Sequence, residues 1–126
     1  MIGEPDTALM SRKNTMARGD NLYRIEQFKE LNRPENMVLT QHSRKRFSER
    51  EIKIQDITNA IETGEIIEDY PEDYPYPSCL ILGKSGEVNI HIVASINDDM
   101  IYLITAYIPN PDKWEDDFKT RKEELK

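Results

Sequence analysis

Val88-Asn89-Ile90-His91-Ile92-Val93-Ala94-Ser95-Ile96, then Asn97-Asp98-Asp99-Met100, then Ile101-Tyr102-Leu103-Ile104-Thr105-Ala106-Tyr107-Ile108 is the stretch that decides the fold. Two runs rich in β-branched and aromatic residues flank a four-residue polar turn, which is the pattern of an antiparallel hairpin. Upstream, Lys84-Ser85-Gly86-Glu87 is a second turn, and Ser78–Leu82 precedes it as another strand. Glu65-Ile66-Ile67-Glu68-Asp69 makes a short strand before that. The Tyr70-Pro71-Glu72-Asp73-Tyr74-Pro75-Tyr76-Pro77 segment is a loop, because its prolines cannot donate to a ladder. Short hairpin connections between consecutive strands predict an antiparallel meander of about four strands.

The period is helical nearer the N-terminus. Leu22, Ile25, Phe28 and Leu31 recur at helical spacing from Asn21 to Asn32, and Arg33-Pro34-Glu35-Asn36 breaks that run. A second helix is predicted from Thr40, its cap, to Arg50, and a third from Gln55 to Thr63. Gly64 then stands where a left-handed C-terminal cap would. Residues 1–20 carry no period and are expected to be a flexible N-terminal tail, leaving 21–126 as a single domain. Pro109-Asn110-Pro111 ends the sheet, and the charged segment from Asp112 to Lys126 is expected to form a short helix anchored by Trp114 and Phe118. The fold class is therefore α+β, with N-terminal helices packed on a C-terminal antiparallel sheet.

Composition narrows the function classes. Of the 126 residues, 37% are hydrophobic and 33% charged, which is polar for a globular domain but not depleted enough for disorder. The net charge of −7 is unevenly spread, at +3 over residues 1–50 and −10 over the rest. An acidic whole disfavours indiscriminate nucleic-acid binding, whereas a local basic patch can still act. A single cysteine, Cys79, excludes an internal disulfide and is expected in the core rather than as a nucleophile. With two histidines and one cysteine, no zinc spacing exists, so neither a metal nor a cofactor is expected. The N-terminal residues lack the apolar stretch of a signal peptide, and no run approaches a membrane span, so a cytoplasmic location is expected.

The line Leu39-Thr40-Gln41-His42-Ser43-Arg44-Lys45-Arg46-Phe47-Ser48-Glu49-Arg50-Glu51-Ile52 resembles the helical signature of domain of unknown function family 4258. Ala60–Tyr70, Ile90-His91-Ile92-Val93, Ile104–Pro109 and Asp112-Lys113-Trp114 continue the resemblance, over about residues 22–121. It implies a small α+β domain like those of the barnase–EndoU–colicin–RelE group of ribonucleases. It also implies a toxin role with a cognate antitoxin, in some members a small zinc-finger protein. The chain departs from the family at Glu51, where glycine usually precedes the isoleucine.

Residues four apart on a helix are neighbours, so His42, Arg46 and Arg50 share one face. Two guanidiniums beside an imidazole would grip a phosphodiester and supply a proton-transfer group. Arg44 and Lys45 add charge on other faces, and an ordinary solvated helix remains the bland reading. Strand alternation puts Ile90, Ile92, Ala94 and Ile96 toward the helices, and His91, Val93 and Ser95 on the opposite face. Tyr102, Ile104, Ala106 and Ile108 would share one face of the last strand, leaving Thr105 and Tyr107 beside His91. That set is either a site or a hydrogen-bonded sheet face covered by the C-terminal segment. The tyrosines of the 70–77 loop offer stacking surfaces for bases, but Glu68, Asp69, Glu72 and Asp73 would repel phosphates, so loop rigidity or protein contact is expected there.

Joined to the resemblance, which implies the ribonuclease class and the toxin role, these residues lead to the expectation of a metal-independent endoribonuclease toxin that cleaves mRNA, on or off the ribosome, by 2′-hydroxyl attack. His42 and His91 would exchange protons, Thr105 and Tyr107 would position them, and Arg46 and Arg50, helped by Arg44 and Lys45, would bind phosphate. The rival expectation is a non-catalytic protein-binding module.

Overall fold

The computed structural model describes residues 22–123; the expected tail and the last three residues lie outside them. Among the described residues three short α-helices, α1 (Ile25–Glu30), α2 (Gln41–Glu49) and α3 (Ile54–Glu62), come before most of the sheet. The strands are β1 (Met37–Leu39), β2 (Glu65–Tyr70), β3 (Ser78–Ser85), β4 (Val88–Asn97) and β5 (Met100–Tyr107). Their order is β1-β5-β4-β3-β2. The four expected antiparallel strands are present, and β1 joins them as a fifth, parallel to β5 through Met37↔Ile101 to Leu39↔Leu103. Its three residues are too few for a periodic signal, and the long path from β1 to β5 permits parallel pairing that no short turn could make. The α+β class stands, with a mixed sheet.

Local chemistry explains the helix bounds. The Thr40 hydroxyl accepts from the Ser43 amide at 3.0 Å, so α2 starts where its cap lies. α1 is shorter than its periodicity suggests and begins after Arg24, whose amide donates to the Gln27 side chain. Glu51, at the α2–α3 turn, adopts φ 58°, the left-handed region that glycine enters most readily. Gly64 is not left-handed, contrary to expectation. It is needed for closeness, since a Cβ there would lie 2.6 Å from the Ala60 carbonyl oxygen and 2.8 Å from the Ile81 side chain.

The sheet has two unlike faces. Toward the helices, Ile81, Ile90, Ile92, Ala94, Ile101 and Ala106 pack against Phe28, Phe47, Ile57 and Ile61. Cys79 is buried on that face, as expected of a core thiol. On the outer face, Tyr70, Leu80 and Val93 form a smaller cluster under Trp114, with Ile67 and Phe118 at its margin. Trp114 thus anchors the C-terminal segment to the sheet. No helix forms there among the described residues; a Trp114↔Arg121 bridge closes an irregular strap instead.

Two β-bulges decide which side chains reach the outer face. The register skips Ile67 between Ile66↔Ile81 and Glu68↔Leu80, which turns Glu68 outward opposite Leu80. It skips Ile104 between Val93↔Thr105 and Ala94↔Leu103. The strict alternation expected for β5 therefore fails: Leu103 and Ala106 both face the helices, and Ile104 is 43% exposed.

Candidate functional site

The outer face divides into a sealed end and an open end, with one histidine at each. The ring of His91 is fully buried. Its Nε2 lies 2.8 Å from the Phe118 carbonyl oxygen, which can only accept, so Nε2 carries the proton and Nδ1 faces the Tyr107 hydroxyl at 3.4 Å. Trp114 meets the imidazole edge-on with ring centroids 4.5 Å apart, and Tyr107 does so at 5.3 Å. Burial lowers the His91 pKa to about 4, outweighing the opposing influence of the Phe118 carbonyl.

Around this ring lies an ionic network that binds the strap. Arg121 donates through Nε and Nη2 to both oxygens of the buried Glu68, each at 2.8 Å. The Tyr70 hydroxyl donates to the same carboxylate at 2.5 Å, and burial followed by the charge of Glu68 raises the Tyr70 pKa. The Arg121 guanidinium also stands 4.5 Å from the Trp114 ring centroid, a cation–π contact. The Glu68 charge is thus met inside the protein by a two-pronged partner.

At the open end, a groove of about 500 Å³ lies between the start of α2, the 70–77 loop and β5. His42 and Thr40 form one wall, Tyr74, Pro75 and Tyr76 another, and Ser95, Tyr102 and Ile104 the floor. His42 is exposed, as the first position of the stripe that continues through Arg46 to Arg50. The Arg50 guanidinium donates to the Thr105 hydroxyl at 3.1 Å and to the Ala106 carbonyl at 2.8 Å. The stripe therefore runs beside β5. Arg46, between His42 and Arg50 on the helix, is half-buried.

Arg50 and Thr105 are thereby joined, and His42 lies two turns earlier on the same helix face with Arg46 between them, whereas His91 and Tyr107 are held beneath the strap. The expected convergence of both imidazoles on one pocket is not met. Thr105 does not orient His91; it accepts from Arg50. Arg44 lines a separate depression with Pro34, Met37 and Phe47, and Lys45 pairs with Glu49 at 3.8 Å in solvent. Neither belongs to the groove. Tyr74, Tyr76 and Tyr102 were missed as a set. The tyrosine–proline run was visible, but the Tyr76–Tyr102 contact, with centroids 5.4 Å apart, joins a loop to a strand distant in sequence.

Among the described residues, no three of His, Cys, Asp and Glu are grouped to hold a metal ion, and no helix is long and apolar enough to cross a membrane. No curated protein and no solved structure matches the chain. One family model matches, over residues 39–108, which span α2, α3 and the sheet from β2 to β5 and hold every expected site residue. The chain belongs to the family described as Domain of unknown function (DUF4258).

Proposed function

We propose that the chain is a toxin-type endoribonuclease that cuts single-stranded RNA in the cytoplasm without a metal, restrained by a cognate antitoxin. The observation that carries this reading is the solvent-open His42 at the mouth of an aromatic groove, heading a file of two arginines. His42 would take the 2′-hydroxyl proton as that oxygen attacks phosphorus. The P–O5′ bond breaks to leave a 2′,3′-cyclic phosphate, and the departing 5′-oxygen takes its proton from water or from the His42 imidazolium. Arg46, with Arg50 held in place by Thr105, would offset the charge gathering on the phosphoryl oxygens. His91 has no part in it, because both of its ring nitrogens face protein partners under the strap.

A single imidazole has a kinetic consequence. Each positioned proton-transfer group contributes a factor of about 10² to 10⁴, so a site with one runs slower than a site with two by that order. Purified protein mixed with labelled single-stranded RNA in EDTA, with and without ribosomes, tests the reading. The parent is expected to cut, and His42→Gln to cut about 10²- to 10⁴-fold more slowly. Equal rates for the two would remove the mechanism.

A specific observation favours a second reading, a non-catalytic module that docks a protein. Tyr74 is 94% exposed and Ile104 43% exposed at the same groove, and such apolar surface suits a protein partner. In that case RNA stays intact in every lane of the same assay.

A further inference from the structure

Three tyrosines at the groove are left unused by the chemistry above. Tyr76 leans on Tyr102 with an interplanar angle of 54°, presenting a two-ring wall beside His42. Tyr74, at the rim, holds almost its whole side chain in solvent. Aromatic faces of this kind gain most from flat, apolar partners that stack. The volume, about 500 Å³, lies in the range of roughly 300–1,000 Å³ usual for small-molecule sites.

Charge says what such a partner must be attached to. The file of His42, Arg46 and Arg50 leads out of the groove along β5, so a ligand seated there continues over cationic groups. An apolar disc joined to a polyanion is a nucleotide in a strand. The acidic loop does not oppose this as strongly as its composition suggests. Glu68 is buried and spanned by Arg121, and Asp69 is buried on the other face, opposite Cys79, where burial raises its pKa. Two loop carboxylates remain near the groove: Asp73, which lines it and accepts from the Ser78 hydroxyl, and the exposed Glu72. The strand's phosphates must therefore follow the arginine side, and only the base enters beside the loop.

We propose that the groove is a receptor for one unpaired nucleobase, which stacks on the Tyr76–Tyr102 wall with Tyr74 closing over it and so selects the phosphodiester presented to His42. This rests on the ribonuclease reading and names its substrate as a strand with an unstacked base. A base in a duplex cannot enter, because its faces are already covered by its neighbours.

Fluorescence anisotropy with a labelled single-stranded RNA hexamer, and with the same backbone made abasic, tests it, with cleavage followed in parallel. The parent is expected to bind the intact strand about tenfold or more tightly than the abasic one. Tyr102→Leu should bring the ratio near one, and Tyr102→Phe should keep it. Tyr74→Ala, altering a side chain in solvent, should lower the ratio without disturbing the fold. Cleavage with base-independent binding would overturn the receptor and leave the nuclease standing. Base-dependent binding without cleavage would support the receptor and remove the catalytic reading. Absence of binding, or equal affinity for a duplex, overturns the receptor.

Discussion

The two ends of the outer sheet face place the same side chain in opposite conditions. His91 is enclosed by Tyr107, Trp114 and the Phe118 carbonyl, with a pKa lowered to about 4 by burial. His42 stands in solvent on the first turn of α2, beside a groove. The C-terminal strap makes the difference. It packs Trp114 and the Phe118 carbonyl against His91 of β4, whereas His42 projects from α2 at the rim of the groove. An imidazole becomes core where the chain folds back over it and stays accessible where it projects from an exposed helix turn.

The largest expected effect lies at the sealed end. Trp114→Ala should lower the unfolding free energy by about 3–5 kcal/mol in urea titration, since the ring fills the space between His91 and Arg121. His42→Gln should change it by less than about 0.5 kcal/mol, as surface substitutions do. Similar losses for the two would erase the contrast.

Acid gives the next largest effect. The folded state keeps His91 neutral until about pH 4, whereas the unfolded chain takes up the proton near 6.5. The unfolded state therefore binds more protons between those values, and stability falls as pH drops from about 6.5 to 4, by up to about 3 kcal/mol from this residue. Replacing His91 with glutamine should flatten that window of the stability–pH curve. An unchanged slope would mean that the ring is not sealed.

Smaller effects sharpen the open end. Thr40→Ala removes the hydroxyl that holds the Ser43 amide and should cost about 1 kcal/mol, read as a shift in denaturation midpoint. Glu51→Gly relieves a left-handed φ of 58° and should add somewhat less than about 1 kcal/mol, since glycine also loses more chain entropy on folding. A loss at Glu51→Gly would show that the carboxylate makes up for the strain.

Legibility followed the range of the interactions. The antiparallel hairpins, the Thr40 cap and the stripe of His42, Arg46 and Arg50 are local, so spacing alone carried them. The faces of β4 were also legible, with Ile90 and Ile92 turned toward the helices. β5 was not, because the bulge at Ile104 shifts the alternation midway and nothing in Leu103-Ile104-Thr105 marks it. The fate of His91 depended on Trp114 and on the Arg121–Glu68 pair, groups 53 residues apart whose meeting no periodicity encodes. Tyr102 as a floor for the tyrosine loop was hidden for the same reason.

The shortness of β1 has a consequence for how copies of this chain coexist. Among the described residues β1 covers only Ile101 to Leu103 of β5, so the second half of that strand has no strand neighbour on one flank. Such a flank is a template for another molecule's backbone, the starting point of edge-to-edge polymers. Arg50 occupies it, giving the Ala106 carbonyl a donor that cannot propagate a ladder and setting a fixed positive charge where an incoming strand would lie. The residue that would hold RNA thus also stands in the way of strand addition, and Arg50→Ala is expected to raise the aggregated fraction in size-exclusion chromatography.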